Sequence, residues 1–387
     1  MPHFARIIAV TTIVLSLALP AHAQSYRDTP PPATNDGWKT STLAAEKIDP
    51  ALITPMLERI RKGDFPHLQS LLIVRHGNLV LEEYFPREEG DRREQAFRRV
   101  APRELTSATK SITSLLLGIA IDQHLIKGPD EKISIYFPEY AGIFADPAKS
   151  KLTLHDLFTM SAGLSWDEWT RPYTDPLNDH VAMLKSDDPL RYLFDRKIVA
   201  APGEQFAYNS GISIALGHIL FKASGLKADK FADKFLFAPL GITDYYWAKY
   251  PDELVQTGGG LFLRPRDLAK IGQLLLDGGI WQGKQIISRE WITVSTRPHV
   301  PAARIPAAAH ADGYGYQWWL DSFRSGDQIV HGFSARGRGG QFLLVFPEQQ
   351  LVVVITSAVD NPDTFGPLDL LQKNILPALG SLPPPAK

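Results

Sequence analysis

The sequence contains no cysteine, and this absence excludes several kinds of site at once. Without thiols the chain can form no disulfide bond, no thiolate metal site and no lipid-modified cysteine anchor. The histidines also lack the His-x-x-x-His spacing that is typical of a metal site on a helix. Neither redox chemistry at a thiol nor a thiolate metal site therefore needs to be considered.

A strong excess of one charge is also missing, because 41 basic residues face 42 acidic residues and the formal net charge is −1. Charges of one sign are not gathered into long runs, and this argues against nucleic acid as a partner. The only dense patch is mixed, from Arg87 to Arg99, and we predict that it forms a solvated surface loop.

Long hydrophobic runs are absent except near the N-terminus, where an apolar stretch covers residues 7–19. The stretch is shorter than the ~20 residues that a membrane-spanning helix needs. Small residues at Ala21 and Ala23 fit a signal peptidase site, so residues 1–23 are predicted to be a signal peptide cleaved after Ala23, with an uncleaved anchor as the alternative. We expect a periplasmic or secreted protein with no stable membrane insertion after cleavage.

Strand-like patterns lie towards both ends of the chain, and helical patterns fill its middle. The β-prone runs cover residues 68–74, 79–85, 328–331, 341–346 and 351–356. The helical patterns cover residues 50–62, 107–124, 154–160, 211–223, 228–236, 265–276 and 363–379. This order predicts an α+β fold, in which an antiparallel β-sheet is flanked by N- and C-terminal helices and interrupted by a large all-α insertion.

The same pattern suggests how the chain is divided. We predict an extended leader over residues 24–47, a sheet domain built from residues 48–106 and 280–387, and a mainly helical lobe over residues 107–279. A crevice between the sheet domain and the helical lobe is the natural place for a ligand site.

The motif Ser107-x-x-Lys110 stands at the head of the apolar run 111–121. Residues three apart on a helix share a face, so the lysine could take the proton of the serine hydroxyl. A second match, Ser224-x-x-Lys227, precedes alternating Lys, Asp and Phe residues that are typical of an amphipathic surface helix. Context therefore favours Ser107, although the tetrapeptide alone is equally compatible with a polar helix start.

Two further segments could complete such a site. Tyr208 precedes a predicted helix, where its phenol could pass a proton to a leaving group, and Ser210 could hydrogen-bond the lysine or the substrate. The alternative for Tyr208 is a partly buried ring with a satisfied hydroxyl. The Gly-rich segment 335–341 either forms a hairpin turn with a bulge or a strand edge that contacts substrate.

Ser107-x-x-Lys110, Tyr208-x-Ser210 and a glycine-rich strand start near Gly337 together resemble the serine hydrolases of the class C β-lactamase and penicillin-binding-protein type. The resemblance covers roughly residues 50 to 375 in the order that this family has, which is more specific than any one motif. It implies a β-lactamase/transpeptidase-like fold.

Two departures from the family are informative. Ser210 stands where the family commonly has Asn, and the family's Lys-Thr-Gly motif is replaced by Ala335-Arg336-Gly337 or by His331-Gly332. In the family that lysine helps to hold the carboxylate of a β-lactam. With these departures the chain is closer to the branch of 6-aminohexanoate-dimer hydrolases and esterases, which cleaves linear amides and esters.

The resemblance implies a secreted serine hydrolase that cleaves a small-molecule amide or ester through an acyl-enzyme on Ser107. Lys110 would be the base, Tyr208 the proton relay, and backbone N–H groups at Ser107 and near Arg338 the oxyanion donors. Such hydrolysis needs neither a metal nor a cofactor, and we predict none. The alternatives are a D,D-peptidase or weak β-lactamase, or a non-catalytic ligand binder of the penicillin-binding type.

Substrate binding is predicted for residues of the second and third segments and for several aromatic side chains. Either Arg336 or Arg338 could recognise a substrate carboxylate, since a guanidinium pairs well with that group. The aromatic candidates for lining the pocket, for which core packing is the alternative, are Trp166, Trp169, Tyr173, Trp318 and Trp319. Ser210 and Gly337 complete the predicted binding residues.

Overall fold

The computed structural model describes residues 26–85, 99–250 and 253–380. The predicted signal peptide and the charged segment from Arg87 up to residue 98 lie outside the described residues, so both stay predictions. Among the residues that are described, no helix combines the length and the apolar character that crossing a bilayer requires.

The strands are short at the edges of the structure and longer in its centre. They are β1 (Lys39–Thr40), β2 (Leu68–Arg75), β3 (Asn78–Tyr84), β4 (Arg103–Glu104), β5 (Tyr245–Trp247), β6 (Leu261–Leu263), β7 (Ile280–Trp281), β8 (Lys284–Gln285), β9 (Val300–Pro301), β10 (Gly313–Tyr314), β11 (Trp319–Ser325), β12 (Gln328–Gly337), β13 (Gln341–Phe346) and β14 (Leu351–Ser357).

Nine of these strands form the main sheet, in the order β1-β3-β2-β14-β13-β12-β11-β10-β9. Neighbouring strands are antiparallel except that β1 runs parallel to β3. The predicted antiparallel sheet and α+β class are thus confirmed. A separate three-stranded sheet, β4-β6-β5, lies where the chain leaves the main sheet for the helical lobe and returns from it.

The helices occupy the stretches for which the sequence predicts them, with several shorter ones between. They are α1 (Pro50–Arg61), α2 (Thr109–Asp122), α3 (Ala141–Phe144), α4 (Leu154–Phe158), α5 (Asp179–Leu184), α6 (Pro189–Asp195), α7 (Ser210–Ser224), α8 (Ala228–Ala232), α9 (Pro265–Leu276), α10 (Arg289–Ser295) and α11 (Leu368–Leu370). The chain after α11 continues in helical turns to Leu379, so the C-terminal helical segment begins five residues later than the predicted 363.

Both faces of the main sheet are covered, and this explains why its central strands are almost continuously apolar. Side chains of a strand alternate between faces. In β14, Val352 and Val354 belong to the core shared with the helical lobe, whereas Val353 and Ile355 belong to the core beneath the terminal helices. The sheet is therefore the middle layer of the molecule.

The predicted β2–β3 hairpin is confirmed, and its two turn residues, His76 and Gly77, have φ values of 48° and 78°. Positive φ at both positions is typical of the tight turn that matches strand twist. Strand β11 was not among the predicted strands, although its side chains alternate largely between buried and less buried positions. The strand predicted at 328–331 extends to Gly337, so the Gly-rich turn is shorter than expected.

The predicted division of the chain needs two corrections. The described part of the leader packs on the sheet domain, because β1 pairs with β3 and Leu43 is fully buried. Helix α9, assigned to the helical lobe, lies directly on the main sheet, where a Cβ added at Gly272 would lie 2.5 Å from Val352 Cγ1. The leader packs on the sheet because it carries apolar side chains among its polar residues. Helix α9 lies on the sheet because Gly272 allows the two elements to approach closely.

Candidate active site

Ser107 lies in a single 3₁₀ turn, Thr106–Ala108, which leads directly into α2. The residue before it, Thr106, has a φ of 45°, which is strained for a β-branched side chain and is typical of functional sites. Two contacts hold this turn, a hydrogen bond of 2.9 Å from Leu105 N to Leu261 O and one of 3.3 Å from Thr106 Oγ1 to Arg338 O. Ser107 stays partly exposed, whereas the rest of the turn is buried.

Lys110 Nζ lies 3.1 Å from Ser107 Oγ, so the predicted serine and lysine are brought together. The same nitrogen lies 2.9 Å from Ser210 Oγ and 2.6 Å from the backbone oxygen of Gly258. The lysine is only 2% exposed. Burial lowers its pKa to about 8, although the charge of Glu168 acts to raise that pKa.

The directions of these hydrogen bonds leave one side of the Lys110 nitrogen for Ser107. A neutral amine has two N–H groups and one lone pair. The Gly258 carbonyl can only accept, and Ser210 Oγ donates its own proton to Glu168 Oε1 over 2.5 Å, so it too accepts from the lysine. With both N–H groups used, the lone pair faces the Ser107 hydroxyl.

Glu168 is the main residue of this cluster that the sequence motifs did not reveal. Its carboxylate is buried and accepts four hydrogen bonds, from Ser210 N, Ser210 Oγ, Trp166 Nε1 and Tyr173 OH. Burial acts to raise the pKa of this carboxyl group, but the neighbouring His180 and Lys110 charges and the bonds from Ser210 hold the pKa below its usual value. An acidic residue inside an aromatic loop was the only signal available in the sequence.

Tyr208 lies between the lysine and the cleft. Its ring centroid is 4.9 Å from Lys110 Nζ, and its phenol interacts with the Ser107 hydroxyl. Burial and the charge of Glu168 raise the pKa of Tyr208, against a smaller opposing effect of the bond with Ser107. The phenol is therefore protonated at neutral pH and can donate a proton.

The second Ser-x-x-Lys match forms no such cluster. Ser224 is the last residue of α7, and its hydroxyl donates to Leu220 O over 2.6 Å. Lys227 is 40% exposed along its side chain and lies 3.7 Å from the carboxylate of Glu253. The interpretation of this match as a surface feature is correct.

Two cavities open beside Ser107, and both are also bounded by Tyr173 and Arg338. One, the polar cavity, has a volume of ≈ 250 Å³ and is lined further by Glu104, Thr106, His180, Val181, Leu184, Ser210, Tyr250, Gln256, Gly258 and Gly259. The other, the aromatic cavity, has a volume of ≈ 270 Å³ and is lined further by Trp169, Tyr208, Ala309, Trp319, Arg336, Gly337, Thr364 and Phe365.

The prediction that Arg336 recognises a substrate carboxylate is wrong. This residue is only 6% exposed, and every N–H of its guanidinium is engaged, by the Ser334 hydroxyl, by the backbone oxygens of Ala309 and His310, and by Asp321. Arg336 therefore contributes only its flat face to the aromatic cavity. Arg338, in contrast, is exposed, and its guanidinium carbon lies 5.2 Å from the centre of the Tyr173 ring.

Two of the predicted pocket tryptophans do not line either cavity. Trp318 is fully buried and packs edge-on against Phe333, with ring centroids 5.4 Å apart, so it belongs to the core. Trp166 acts behind the site, where its indole N–H donates to Glu168 over 2.9 Å. The neighbours Trp169 and Trp319 line the aromatic cavity instead. Neighbouring residues of a loop or strand point in different directions, so the sequence did not show which of these tryptophans face the cavity.

Gly337 allows strand β12 to approach the turn that carries Ser107. A Cβ at this position would lie 2.2 Å both from Leu105 O and from Thr106 Oγ1. The glycine is thus required by close approach of two backbone segments, which also brings the backbone of Arg338 beside Ser107.

We expect Gly337→Ala to lower activity at least tenfold and to destabilise the fold by about 1–3 kcal/mol, since the end of β12 must move away from Ser107. Ester hydrolysis and urea unfolding would measure the two effects. Gly142→Ala is the matched control, because a Cβ at Gly142 would meet no atom within 4 Å. Full activity of Gly337→Ala would contradict the requirement for close approach.

The chain is similar to a known protein family over most of its length. The family model "Beta-lactamase" matches residues 61–375 of the chain. The chain is 26% identical over 372 residues to 6-aminohexanoate-dimer hydrolase from Paenarthrobacter ureafaciens, covering 89% of this chain and 84% of that protein. It is 23% identical to esterase EstB from Burkholderia gladioli over 45% of each chain.

Among solved structures, the fold is similar to an octameric penicillin-binding protein homologue from Pyrococcus abyssi. The TM-score is 0.60 at 20% sequence identity, with 86% of this chain and 79% of that chain covered. At this identity the similarity concerns the fold.

Proposed function

The chain belongs to the β-lactamase family of serine hydrolases, and from this premise we propose that it hydrolyses an amide or ester through an acyl-enzyme on Ser107. One observation carries the proposal. Lys110 Nζ lies 3.1 Å from Ser107 Oγ, and its other two directions are taken by Gly258 O and Ser210 Oγ, so the lone pair of the neutral amine would face the serine hydroxyl.

In the acylation step Ser107 Oγ attacks the carbonyl carbon while its proton moves to Lys110. The carbonyl oxygen becomes an oxyanion, which backbone N–H groups of Ser107 and Arg338 would stabilise. Tyr208 protonates the leaving oxygen or nitrogen as the scissile bond breaks, and the phenol is restored by the proton taken from the serine. The net products are the acyl-enzyme and a free alcohol or amine.

In the deacylation step a water molecule attacks the acyl-enzyme along the reverse route. The water gives one proton to Tyr208 while the phenol proton passes to Lys110, and Lys110 returns a proton to Ser107 Oγ as it leaves. The released carboxylic acid completes the hydrolysis. All of the proton transfers are carried by side chains of the described cluster.

Linear amides and esters are the substrate class that we propose, by analogy with the relatives named as an amide-dimer hydrolase and an esterase. A β-lactam or a D,D-peptide, which carries a carboxylate near the scissile bond, fits less well. Position 335 is alanine rather than lysine, and the Arg336 N–H groups are already used within the protein. We also propose export to the periplasm or medium, which rests on the sequence pattern of residues 1–23.

The test is covalent labelling followed by turnover. We expect a fluorophosphonate to add one adduct, located on Ser107 by peptide mass mapping, and the Ser107→Ala variant to stay unmodified. A panel of p-nitrophenyl esters, a linear amide dimer, a D-Ala-D-Ala peptide and a chromogenic cephalosporin then identifies the reaction. Labelling at another residue would refute the proposed nucleophile, and labelling without turnover of any substrate would indicate a ligand binder.

A further inference from the structure

The two cavities beside Ser107 differ in their relation to the proton donor. Tyr208 lines the aromatic cavity, whereas the polar cavity is lined by Ser210 from the same segment. Tyr173 and Arg338 form the ridge between them, since both residues border both cavities. A carbonyl carbon held at Ser107 would therefore have one cavity on each side.

A proton donor must lie beside the atom that it protonates. The leaving oxygen or nitrogen therefore belongs on the side of Tyr208, and the acyl chain belongs on the other. We propose that the aromatic cavity holds a flat, apolar leaving group and that the polar cavity holds an acyl group bearing a hydrogen-bond donor. This inference rests on the proposed function, and it narrows the substrate class at both ends of the scissile bond.

The aromatic cavity has the shape and chemistry to hold a flat group. Its rings Trp169, Tyr208 and Trp319 are nearly parallel, with centroids 4.9 Å apart for Trp169–Tyr208 and 6.0 Å apart for Tyr208–Trp319. Phe365 adds a fourth ring, and the Arg336 N–H groups are saturated within the protein. Trp169 is 40% exposed, so one of its sides is accessible at the mouth. Aromatic faces favour apolar and aromatic partners.

The polar cavity presents acceptors to its contents. Glu104 is half-buried at its wall, where burial raises the pKa of the carboxyl group against the opposing charge of Arg338. His180 also lines this cavity, and its Nδ1 is buried with no hydrogen-bond partner in the described part of the chain. A hydroxyl or similar donor on the substrate would donate a hydrogen bond to Glu104 or to His180 Nδ1.

The leaving-group half of the proposal is tested with two butanoyl esters whose alcohols have similar acidity, benzyl and 2-methoxyethyl. We expect wild type to prefer the benzyl ester in kcat/KM by about tenfold, in line with one aromatic contact. Trp169→Ala should reduce that preference to about twofold.

The acyl half is tested with benzyl esters of 3-hydroxypropanoate and butanoate, which have nearly the same shape. We expect wild type to prefer the hydroxylated acyl group in kcat/KM by about tenfold, which is the effect expected of one hydrogen bond to a carboxylate. Glu104→Leu should remove this preference while retaining the benzyl preference. Tyr246→Ala, which truncates an exposed aromatic side chain outside both cavities, is the control and should change neither ratio.

The outcomes separate this inference from the proposed function. The assignment of the two cavities would be overturned if Trp169→Ala altered the acyl preference, or if Glu104→Leu altered the alcohol preference. It would also be overturned by an enzyme that turns over all three esters without either preference. A protein that is not labelled at Ser107 and hydrolyses none of the esters would instead refute the proposed function.

Discussion

Lys110→Met is expected to lower kcat/KM for an ester by about 10²- to 10⁴-fold, the range typical of a positioned general base. Methionine is an unbranched side chain of similar length, so it can occupy the buried channel that the lysine stem uses. Only the amine, and with it the acceptor of the Ser107 proton, is lost. Steady-state hydrolysis and the rate of fluorophosphonate labelling would measure the effect.

The pH dependence gives an independent test of the same amine. Burial lowers the pKa of Lys110 to about 8. The base must be neutral to act, so the labelling rate should rise with pH below about 8, in proportion to the neutral fraction, and level off above it. In Lys110→Met this rise should disappear.

Lys227→Met is the matched control, because Lys227 belongs to the exposed copy of the same motif. It should leave both the rate and its pH dependence unchanged. A wild-type labelling rate that is flat from pH 6 to 9, or that falls with pH, would argue against a lysine base.

Glu168→Gln is expected to lower the acylation rate by about 10²-fold without unfolding the protein, although it changes only one atom. Oε2 of Glu168 accepts from Ser210 N and from Trp166 Nε1, which are groups that can only donate. The amide oxygen of glutamine must therefore take the Oε2 position, and its NH₂ must take the Oε1 position.

That NH₂ group would face Ser210 Oγ, which now donates to Oε1. The Ser210 hydroxyl must then turn its proton away from residue 168 and towards Lys110 Nζ, 2.9 Å away. The lysine lone pair would be engaged by Ser210 instead of by Ser107. The base would be present but directed to the wrong hydroxyl.

A double-mutant cycle tests this reversal, because coupled residues show non-additive effects. Ser210→Ala alone should cost about tenfold through the lost hydrogen bond to the lysine. In the Ser210→Ala background, Glu168→Gln should have little further effect, since no hydroxyl remains to be reversed. Additive losses in the cycle, or a large drop in thermal stability with Glu168→Gln, would mean that Glu168 acts by another route.

The proximity of Ser107 and Lys110 could be predicted because their relation is local. Ser107 and Lys110 are one helical turn apart, and the apolar run that follows them identifies a buried helix. The hairpin at His76 and Gly77 was predictable for the same reason, since a tight turn is specified by adjacent residues. Structure that is formed by residues close together in the chain can be predicted from those residues alone.

Contacts between distant segments were not predictable in this way. Glu168 reaches Ser210 across 42 positions of the chain, and Gly258 O reaches Lys110 across 148. Arg336 has the residue type of a carboxylate-binding group, yet Asp321 and the backbone of the 309–310 segment occupy it. Residue type fixes what a side chain can bind, and only packing decides which partner it meets.

The order of residues alone determined the fold class, the buried helix that carries Ser107 and the spacing that pairs it with Lys110. The tertiary structure decided which groups surround the lysine nitrogen, which arginine is exposed at the cleft and which tryptophans line it. The physical reason is the range of the interactions. Helix and turn geometry act over a few residues, whereas hydrogen-bond direction, burial and cavity shape depend on segments that only the folded chain brings together.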